Sequence, residues 1–463
     1  ITLNGQDTAC SPIDFTTYSA PIVAFISPVD GADAGGTAVT VTGAGFSQGS
    51  EITCRFGTAQ VAGTLVSDSA ILCASPAVSS VGGGATADTA VTAVDVDVSI
   101  NGQQYTGLPR TFRYSPLPQL LAVSHASGPT TGGTVITVRA SNLRAAAGLA
   151  CRFGTSGAAA PATLIAASCE GTTCDATCML PASTSARILA LAVTLNSQDY
   201  SNALSFSQYL PSLITTVQPA LGPVSGATAL TLSGNYLSGG DSYMCRFAGG
   251  SVDAFAAQLA TATDGTAAIA CDTPPATAET AAAATAAAAA APLLEVSLNG
   301  QDWTATGLSF TYHPALIIRH IHPASLPVGV SVELAIRLVS LPEGLNYTCR
   351  LEDDANTATL SADGMLSCIL PARSAAARLA VGVSANLQQY DEDASTGAVV
   401  EVYAAPVVSS GIIGISSSTG EPSAADVVGR VGDTLVLLGA GLDGGHSPTC
   451  RFGGVAVNAS SAL

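Results

Sequence analysis

Short stretches in which apolar and polar residues alternate recur along the chain. In the first of them, Val39 and Val41 share one face, and Ala38, Thr40 and Thr42 share the other. Alternation with a period of two, carried by β-branched residues, is typical of a strand with one buried face. Similar stretches lie at residues 134–138 and 228–232. The pattern therefore predicts a series of half-buried β-strands.

A second kind of strand runs into Asn-Gly or Asn-Ser. It ends at Asn4-Gly5, Asn101-Gly102, Asn196-Ser197 and Asn299-Gly300, and a short strand such as Arg110–Tyr114 follows. Asn and Gly accept the positive φ that tight hairpin turns need, so each copy predicts a β-hairpin. Three aromatic residues soon after the turns are predicted to pack over the hairpins: Tyr105, Tyr200 and Trp303.

A Cys-Arg motif, in most copies Cys-Arg-Phe-Gly, recurs about every 100 residues, which is the usual size of one domain. Its copies begin at Cys54, Cys151, Cys245, Cys349 and Cys450. The repeat predicts the closing hairpin of a preceding repeat at 1–20, a first domain at 21–116, a second at 117–210, a third at 211–314, a divergent fourth at 315–405, and the beginning of a fifth at 406–463. Each complete repeat is expected to hold about seven short strands, a number typical of an antiparallel sandwich.

The alanine-rich stretch at 276–291 interrupts this pattern. Alanine has the highest helix propensity. Because the matching stretch of the first domain, 77–90, is rich in Gly, Ser and Ala, we expect at most a short helix in an exposed loop.

Composition narrows the class of protein. Hydrophobic residues make up 48% of the 463 residues, with 47 glycines and 24 prolines, which is too apolar for a disordered chain and too rich in turn formers for a helical one. The formal net charge of −18 disfavours nucleic acid and anionic membrane surfaces as partners. No uninterrupted apolar run reaches membrane-spanning length, so no direct membrane insertion of this segment is expected.

The 12 cysteines keep step with the repeat and favour an oxidising compartment. Equivalent positions predict one disulfide per domain, each contributing about 3 kcal/mol by restricting the unfolded chain. The expected pairs are Cys54 with Cys73, Cys151 with Cys178, Cys245 with Cys271, and Cys349 with Cys368. In the second domain this leaves Cys169 for Cys174, and a zinc site is the alternative there. Cys10 and Cys450 lack partners at the expected offsets, so their partners are expected in sequence outside this segment or in another chain.

Other candidate sites have simpler explanations. Gly439–Gly444 fits a dinucleotide-binding fingerprint by its letters, but no helix follows, so a turn between strands is expected. His320 and His322 have a spacing that can bind metal, although exposed histidines are the simpler interpretation. Acidic residues at Asp95, Asp97 and 391–393 are suited to calcium, with solvated surface again the simpler interpretation.

No pattern typical of a catalytic site occurs, and no metal or cofactor site is predicted. The arginine that follows each repeat cysteine is expected to be structural, as a salt bridge or backbone contact within its domain.

The order Pro-x-Ile, Gly-Gly-Thr-x-Val-Thr-Val, Cys-Arg-Phe-Gly and Cys-x-x-Pro resembles the IPT/TIG family of immunoglobulin-like domains. The resemblance is strong in the first domain, good in the second and third, and weak in the fourth. It implies an all-β, tandem array of early-set immunoglobulin-like sandwiches without enzymatic activity. The alanine-rich, acidic style also resembles secreted green-algal glycoproteins, including those of flagellar hairs (mastigonemes).

These features together favour a secreted or cell-surface structural glycoprotein built as a rod-like array. A filament subunit that associates with copies of itself or with similar domains is the sharper hypothesis, and an adhesion or receptor ectodomain that binds a protein or glycan is the alternative. Two sequons, at Asn346 and Asn458, are candidate N-glycosylation sites.

Overall fold

We analysed a computed structural model of the chain. It describes residues 5–6, 17–82, 91–155, 159–248, 254–262, 265–276, 293–339, 341, 345–352, 354–390, 398–404, 406–414, 434–440, 442, 449–452 and 455–459. Two compact units are present. The first comprises Ile1–Ser212 together with Ser238–Ser242 and Leu298–Asp302, and the second comprises Leu213–Leu237, Tyr243–Ser297 and Trp303–Leu463.

The first domain contains eight strands and two single turns of 3-10 helix, Phe46–Gln48 and Val78–Ser80. The strands are β1 Ile22–Ser27, β2 Asp30–Ala32, β3 Ala38–Ala44, β4 Thr53–Phe56, β5 Ala59–Ser67, β6 Ala70–Ala74, β7 Thr92–Ser99 and β8 Arg110–Ser115. They are hydrogen-bonded in the order β1-β3-β6-β5-β4-β7-β8-β2.

Strand β5 takes part in both layers of this sandwich. Its first half pairs with β4, where Cys54 faces Val61, and its second half pairs with β6, where Gly63 faces Cys73. Gly63 lies at the change of layer because a Cβ there would meet the Sγ of Cys54 at 3.1 Å. The apolar faces of β3, β4, β6, β7 and β8 form the core between the layers.

The second domain repeats this order of strands. Its elements are β9 Gln119–Val123, β10 Ser127–Pro129, β11 Val135–Ser141, β12 Ala150–Phe153, β13 Ala160–Glu170, β14 Thr173–Met179, β15 Arg187–Thr194 and β16 Leu204–Tyr209. The hydrogen-bonded order is β10-β16-β15-β12-β13-β14-β11-β9, which is the order of the first domain read in the opposite direction.

The third domain contains β17 Leu213–Gln218, β18 Leu221–Pro223, β19 Ala229–Asn235, β20 Met244–Ala248, β21 Phe255–Thr261, β22 Ala267–Asp272, β23 Leu293–Ser297, β24 Trp303–Ser309 and β25 Thr311–His313. Seven of these strands form one sheet, and β18 pairs in parallel with β25. Most of the alanine-rich stretch lies outside the described residues.

The fourth domain contains β26 Ile318–His322, β27 Ser325–Pro327, β28 Val332–Leu338, β29 Thr348–Leu351, β30 Asp354–Thr357, β31 Thr359–Leu360, β32 Leu366–Leu370, β33 Ala377–Ser384 and β34 Val399–Tyr403. Its two sheets are separate, because the strand that corresponds to β5 is divided into β30 and β31. The described strands of the fifth repeat are β35 Val407–Gly414, β36 Thr434–Ala440, β37 Thr449–Phe452 and β38 Val455–Asn458.

The chain is all-β, as the alternating pattern predicted, and its domains are immunoglobulin-like sandwiches. Val39 and Val41 are fully buried, which is the face predicted for them. Hairpins form at the predicted turns, with five residues between the paired positions. Ser99, Thr194 and Ser297 pair antiparallel with Tyr105, Tyr200 and Trp303.

Candidate interdomain contact site

In each complete domain, the loop after the strand that pairs with the Cys-Arg strand has the same shape. In the second domain, the side-chain oxygen of Asn196 accepts hydrogen bonds from the backbone N–H groups of Gln198 and Asp199, at 3.0 and 2.8 Å. The residue after each loop asparagine has a positive φ: 69° at Gly102, 63° at Ser197, 74° at Gly300 and 66° at Leu387. We call these four loops, residues 101–104, 196–199, 299–302 and 386–389, the Asn loops.

In three of the Asn loops, a glutamine pairs with the backbone of the preceding domain. The carboxamide of Gln198 accepts from the N–H of Ala38 at 3.1 Å and donates to the carbonyl of Ala38 at 3.0 Å. Strand β1 pairs with β3 only from Thr40 onwards, so the glutamine occupies the open end of β3. Since both of its bonds go to main-chain atoms, this contact does not depend on the side chain of residue 38.

The same pairing is found at the two other joints. Gln301 makes these bonds to Val135 at 2.7 and 3.3 Å within the first unit, and Gln388 makes them to Ala229 at 2.9 and 2.8 Å within the second unit. Ala38, Val135 and Ala229 are the first residues of β3, β11 and β19. A threonine precedes this residue in all three domains. We call the two residues together, 37–38, 134–135 and 228–229, the Thr edge.

The last residue of each Asn loop binds that threonine. The hydroxyl of Thr37 donates to the carboxylate of Asp199 at 2.7 Å, and the hydroxyl of Thr134 donates to Asp302 at 2.6 Å. At the third joint, the hydroxyl of Thr228 donates to the amide oxygen of Gln389 at 3.3 Å. The threonines are almost completely buried, so each hydroxyl needs an acceptor.

The loop asparagine completes each joint. Asn196 donates to the carbonyl of Asp30 at 3.0 Å and to Asp199 at 2.7 Å. Asn299 and Asn386 donate in the same way to the carbonyls of Ser127 and Leu221, at 3.3 and 3.2 Å. One asparagine therefore orders its own loop and binds the neighbouring domain.

A glycine lets each threonine reach this position. A Cβ at Gly31 would lie 2.5 Å from the Thr37 hydroxyl oxygen, and at Gly128 and Gly222 it would lie 2.6 and 2.0 Å from the hydroxyls of Thr134 and Thr228. In the fourth domain both members of this pair are apolar. There, Leu326 takes the place of the glycine and is buried in the core. Val332, which pairs with Leu370, takes the place of Thr37, the residue just before the pair Ala38 and Ala74, and it is half-buried.

Ion pairs add to the first joint. Asp30, whose side chain is 5% exposed, accepts from Arg113 of its own domain at 2.9 Å and from Arg144 of the second domain at 3.1 Å. Arg144 also donates to the hydroxyl of Ser115 at 2.8 Å. At the second joint, Asp241 accepts from the Ser127 hydroxyl at 2.6 Å and from the Ala126 N–H at 2.5 Å.

Comparison with known families identifies these domains. A family model described as IPT/TIG domain matches residues 21–114, 118–208 and 211–312. The chain belongs to the IPT/TIG family. Nothing among curated protein sequences matches it.

Solved structures similar to this chain include the extracellular region of plexin A4, domains 1 to 10, with 15% identity over 94% of this chain and 43% of that one, and a TM-score of 0.35. This chain thus spans less than half of that plexin region. The D1–D4 ectodomain fragment of ICAM-5 matches with 12% identity over 74% of this chain and 98% of that one, and a TM-score of 0.19. The I9–I11 tandem of titin matches with 8% identity over 62% of this chain and 99% of that one, also with a TM-score of 0.19.

The aromatic residues next to the Asn loops have a more specific contact than general packing over the hairpin. In each of the four complete repeats, the arginine of the Cys-Arg motif stacks on the ring that follows the loop. The distances from guanidinium carbon to ring centre are 4.1 Å for Arg55 and Tyr105, 3.4 Å for Arg152 and Tyr200, 4.1 Å for Arg246 and Trp303, and 4.2 Å for Arg350 and Tyr390. This cation–π contact attaches the loop to the strand that carries the disulfide.

The interpretation of Asp97 as solvated surface is wrong. Asp97 is 6% exposed and accepts from Arg55 at 2.8 Å, so it forms the salt bridge expected of the repeat arginine. Glu295 pairs with Arg246 at 2.6 Å in the same way. Asp97 lies directly opposite Arg55 in the pairing of β4 with β7, whereas Asp95, two residues earlier on the same face, is exposed.

The structure joins five cysteine pairs by disulfides. They are Cys54–Cys73, Cys151–Cys178, Cys169–Cys174, Cys245–Cys271 and Cys349–Cys368, the pairs that equivalent positions indicate. In the first domain the bond connects β4 with β6, one from each layer. Cys450 is a free cysteine, and Cys10 lies outside the described residues.

The other candidate site residues predicted from the sequence do not come together in one site among the described residues. His320 and His322 are exposed on β26, whereas His313 is buried, and no group of metal-ligating side chains occurs among the residues that the structure describes. Residues 391–393 and half of Gly439–Gly444 fall outside the described ranges. Asn346 and Asn458 are both exposed. The described residues contain no helix with the length and hydrophobicity of a membrane span.

The sequence reasoning missed the role of Gln198, Gln301 and Gln388. The signal was present, because the pattern Asn-x-Gln-Asp or Asn-x-Gln-Gln recurs once per domain. Only Asn and the residue after it are needed for the turn, so the glutamine was the part of the motif that a turn did not explain.

Proposed function

We propose that this chain is an extracellular structural glycoprotein in which Asn loops hold successive IPT/TIG domains in a fixed orientation, so that the array acts as a rod-like spacer. The observation that carries this proposal is the joint itself, which is found three times with the same geometry. A chain selected only for separate binding domains would not need the same contact at successive junctions.

The chemistry of the joint explains why it would be stiff. Each joint adds hydrogen bonds to main-chain groups at the open end of a strand, and the threonine hydroxyl would exchange its acceptor in the loop for water if the domains separated. The Asn loop is ordered by bonds within itself, so its conformational entropy is already lost before the domains meet. Bending of the joint therefore costs hydrogen bonds without a large gain in loop freedom.

The extracellular location is supported by the five disulfides, which persist in oxidising compartments. Asn346 and Asn458 are exposed and would be accessible to glycosylation. The finer proposal is a subunit of a cell-surface or flagellar filament that associates with similar domains. Mass spectrometry of protein from its source, with and without reduction and deglycosylation, tests the location. Reduced thiols and unmodified sequons would contradict it.

The stiffness is tested by distance distributions between spin labels. Labels at Gln60→Cys and Thr163→Cys, both exposed, report on the first joint in a chain that also carries Cys10→Ser and Cys450→Ser. We expect a narrow distribution that broadens when Asn196→Ala and Gln198→Ala are added. The matched control, Asn101→Ala with Gln103→Ala, changes an Asn loop outside this joint and should leave the distribution narrow. A distribution that is already broad in the parent chain would contradict the proposal.

A further inference from the structure

The Asn loop of the first domain has the shape of the three loops that bind a neighbouring domain. The side-chain oxygen of Asn101 accepts from the N–H groups of Gln103 and Gln104, at 3.1 and 3.0 Å, and its amide group donates to the Gln104 side chain. The φ of 69° at Gly102 matches the corresponding residues of the other loops. The loop is therefore preorganised in the same way.

Its environment differs from that of the other loops. Gln104 is exposed, whereas its equivalents Asp199, Asp302 and Gln389 are half-buried against a Thr edge. Position 103 does not differ in exposure, because the docked glutamines of the other three loops are exposed as well. In the described part of the chain, the hydrogen bonds of Gln103 and Gln104 stay within their own loop. The carboxamide of Gln103, whose equivalents in the other three loops pair with the end of a strand, therefore makes no such pair among the described residues.

We propose that residues 101–104 dock onto the Thr edge of a further IPT/TIG domain on the amino-terminal side of the first domain. Gln103 pairs with the backbone of the residue after the threonine, and Gln104 accepts from the threonine hydroxyl. This inference rests on the joint geometry and does not depend on the extracellular location or on the stiffness proposed above.

Two observations select this occupant. Each of the other Asn loops binds the domain that directly precedes its own, so the first loop faces the amino-terminal side. In addition, Asn4-Gly5-Gln6-Asp7 repeats the Asn-loop motif, with a φ of 75° at Gly5, and Tyr18 packs against the core of the first domain. These residues belong to the closing segment of a repeat of the same kind.

A second copy of this chain fits less well. Its threonines 37, 134 and 228 already bind its own Asn loops, and the matching positions in the sequence of its fourth and fifth repeats are Val332 and Asp433, neither of which carries a hydroxyl donor. Because position 104 is glutamine, as at 389, the partner edge should resemble the third domain, where Gln389 also donates to the carbonyl of Ala227 at 2.5 Å.

The test uses the full 463-residue chain and a probe with a free Thr edge. The probe is residues 211–314 labelled with nitrogen-15, in which the edge at Thr228 is free because the loop 386–389 is absent. Amide dispersion and an intact Cys245–Cys271 bond verify that the probe is folded. Residues 118–210, with the edge at Thr134, are the replacement probe if they are not.

We expect saturable shifts of the amide signals of Ala227, Thr228 and Ala229, with a dissociation constant of roughly 1 mM or below. The variant Gln103→Ala with Gln104→Ala in the full chain should weaken binding at least about tenfold, as should Thr228→Val in the probe. The control Gln60→Ala changes an exposed glutamine of the same domain and should have no effect. No shift at the edge, or shifts that persist in the double glutamine variant, would overturn the proposal.

Discussion

The joint between the first and second domains and the joint between the third and fourth have the same shape but different chemistry. In the first joint, the carboxylate of Asp199 accepts from Thr37 and Asn196, both at 2.7 Å. In the third joint, the neutral amide of Gln389 accepts from Thr228 at the longer distance of 3.3 Å. Hydrogen bonds to an ionised acceptor are shorter and about twice as strong as neutral ones.

The two joints also differ at the residue whose carbonyl accepts from the loop asparagine. This residue is Asp30 in the first joint, where its side chain binds Arg113 and Arg144, and Leu221 in the third. The part that stays constant is the glutamine that pairs with the main chain. The comparison shows that backbone recognition sets the geometry of the joint, while the side chains around it set its strength.

The largest effect is expected for Asp30→Ala. It removes the acceptor of two arginines, and because both arginines are partly exposed we expect a loss of about 2 kcal/mol rather than the larger cost of breaking a fully buried pair. Exchange of the Ala38 amide hydrogen should accelerate by roughly 30-fold, with that of Ala229 unchanged. Leu221→Ala is the matched change in the third joint and should accelerate Ala229 only slightly. Equal effects of the two changes would contradict the proposed electrostatic difference between the joints.

Asn196→Ala and Asn386→Ala should have similar effects, each in its own joint. Each change removes a bond to the preceding domain and the bonds that order the loop, a loss of about 1.5 kcal/mol. We expect roughly tenfold faster exchange at Ala38 for the first and at Ala229 for the second. Asn101→Ala is the control, because its loop contacts neither amide. A large effect in only one joint would show that the asparagine is not part of the constant geometry.

A smaller difference lies in the backbone just before the Thr edge. Gly36 has a φ of 85°, and Ala227 occupies the corresponding position of the third domain with a φ of 60°. A side chain costs about 1 kcal/mol in this region, so Ala227→Gly should stabilise the third domain and Gly36→Ala should destabilise the first. A Cβ at Gly36 would meet no atom within 4 Å, so only strain is tested. Native-state amide exchange in each domain measures the change, and opposite signs are expected.

Exchanging the last loop residues should transfer part of the difference in strength. Asp199→Gln should weaken the first joint by about 0.5 kcal/mol, and Gln389→Asp should strengthen the third by a similar amount. The exchange rates of Ala38 and Ala229 would then approach each other. If Gln389→Asp weakens its joint instead, the bond from Gln389 to the carbonyl of Ala227 matters more than the charge.

The first and third domains should lose stability in alkali in the same way. Burial raises the pKa of Tyr114 in the first domain and of Tyr312 in the third to about 12, from an ordinary value of 10. The folded state therefore favours the neutral phenol. This contribution to stability is complete below pH 10 and is lost as the pH rises towards 12. Tyrosinate absorbance during alkaline unfolding measures it, and Tyr114→Phe should remove the loss from the first domain alone. A phenol that ionises near pH 10 in the folded chain would contradict it.

The sequence by itself determined the class of fold and the repeat. Alternation at Val39 and Val41, the recurring cysteines and the Asn-Gly turns are local patterns, and each has one structural solution that follows from the geometry of a strand or a turn. The cysteine pairs at equivalent positions followed from the repeat for the same reason. The sequence was also sufficient to indicate that the repeat arginine is structural.

Only the tertiary structure decided what that arginine contacts and what the Asn loops do. Gln198 and Ala38 are 160 residues apart, and their contact depends on the orientation of one domain on the next. Local patterns carry no information about such an orientation, because Gln103, Gln198, Gln301 and Gln388 look alike in the sequence. Three of them pair with a strand end of the preceding domain, and one does not within the described residues. That difference arises from the packing of whole domains.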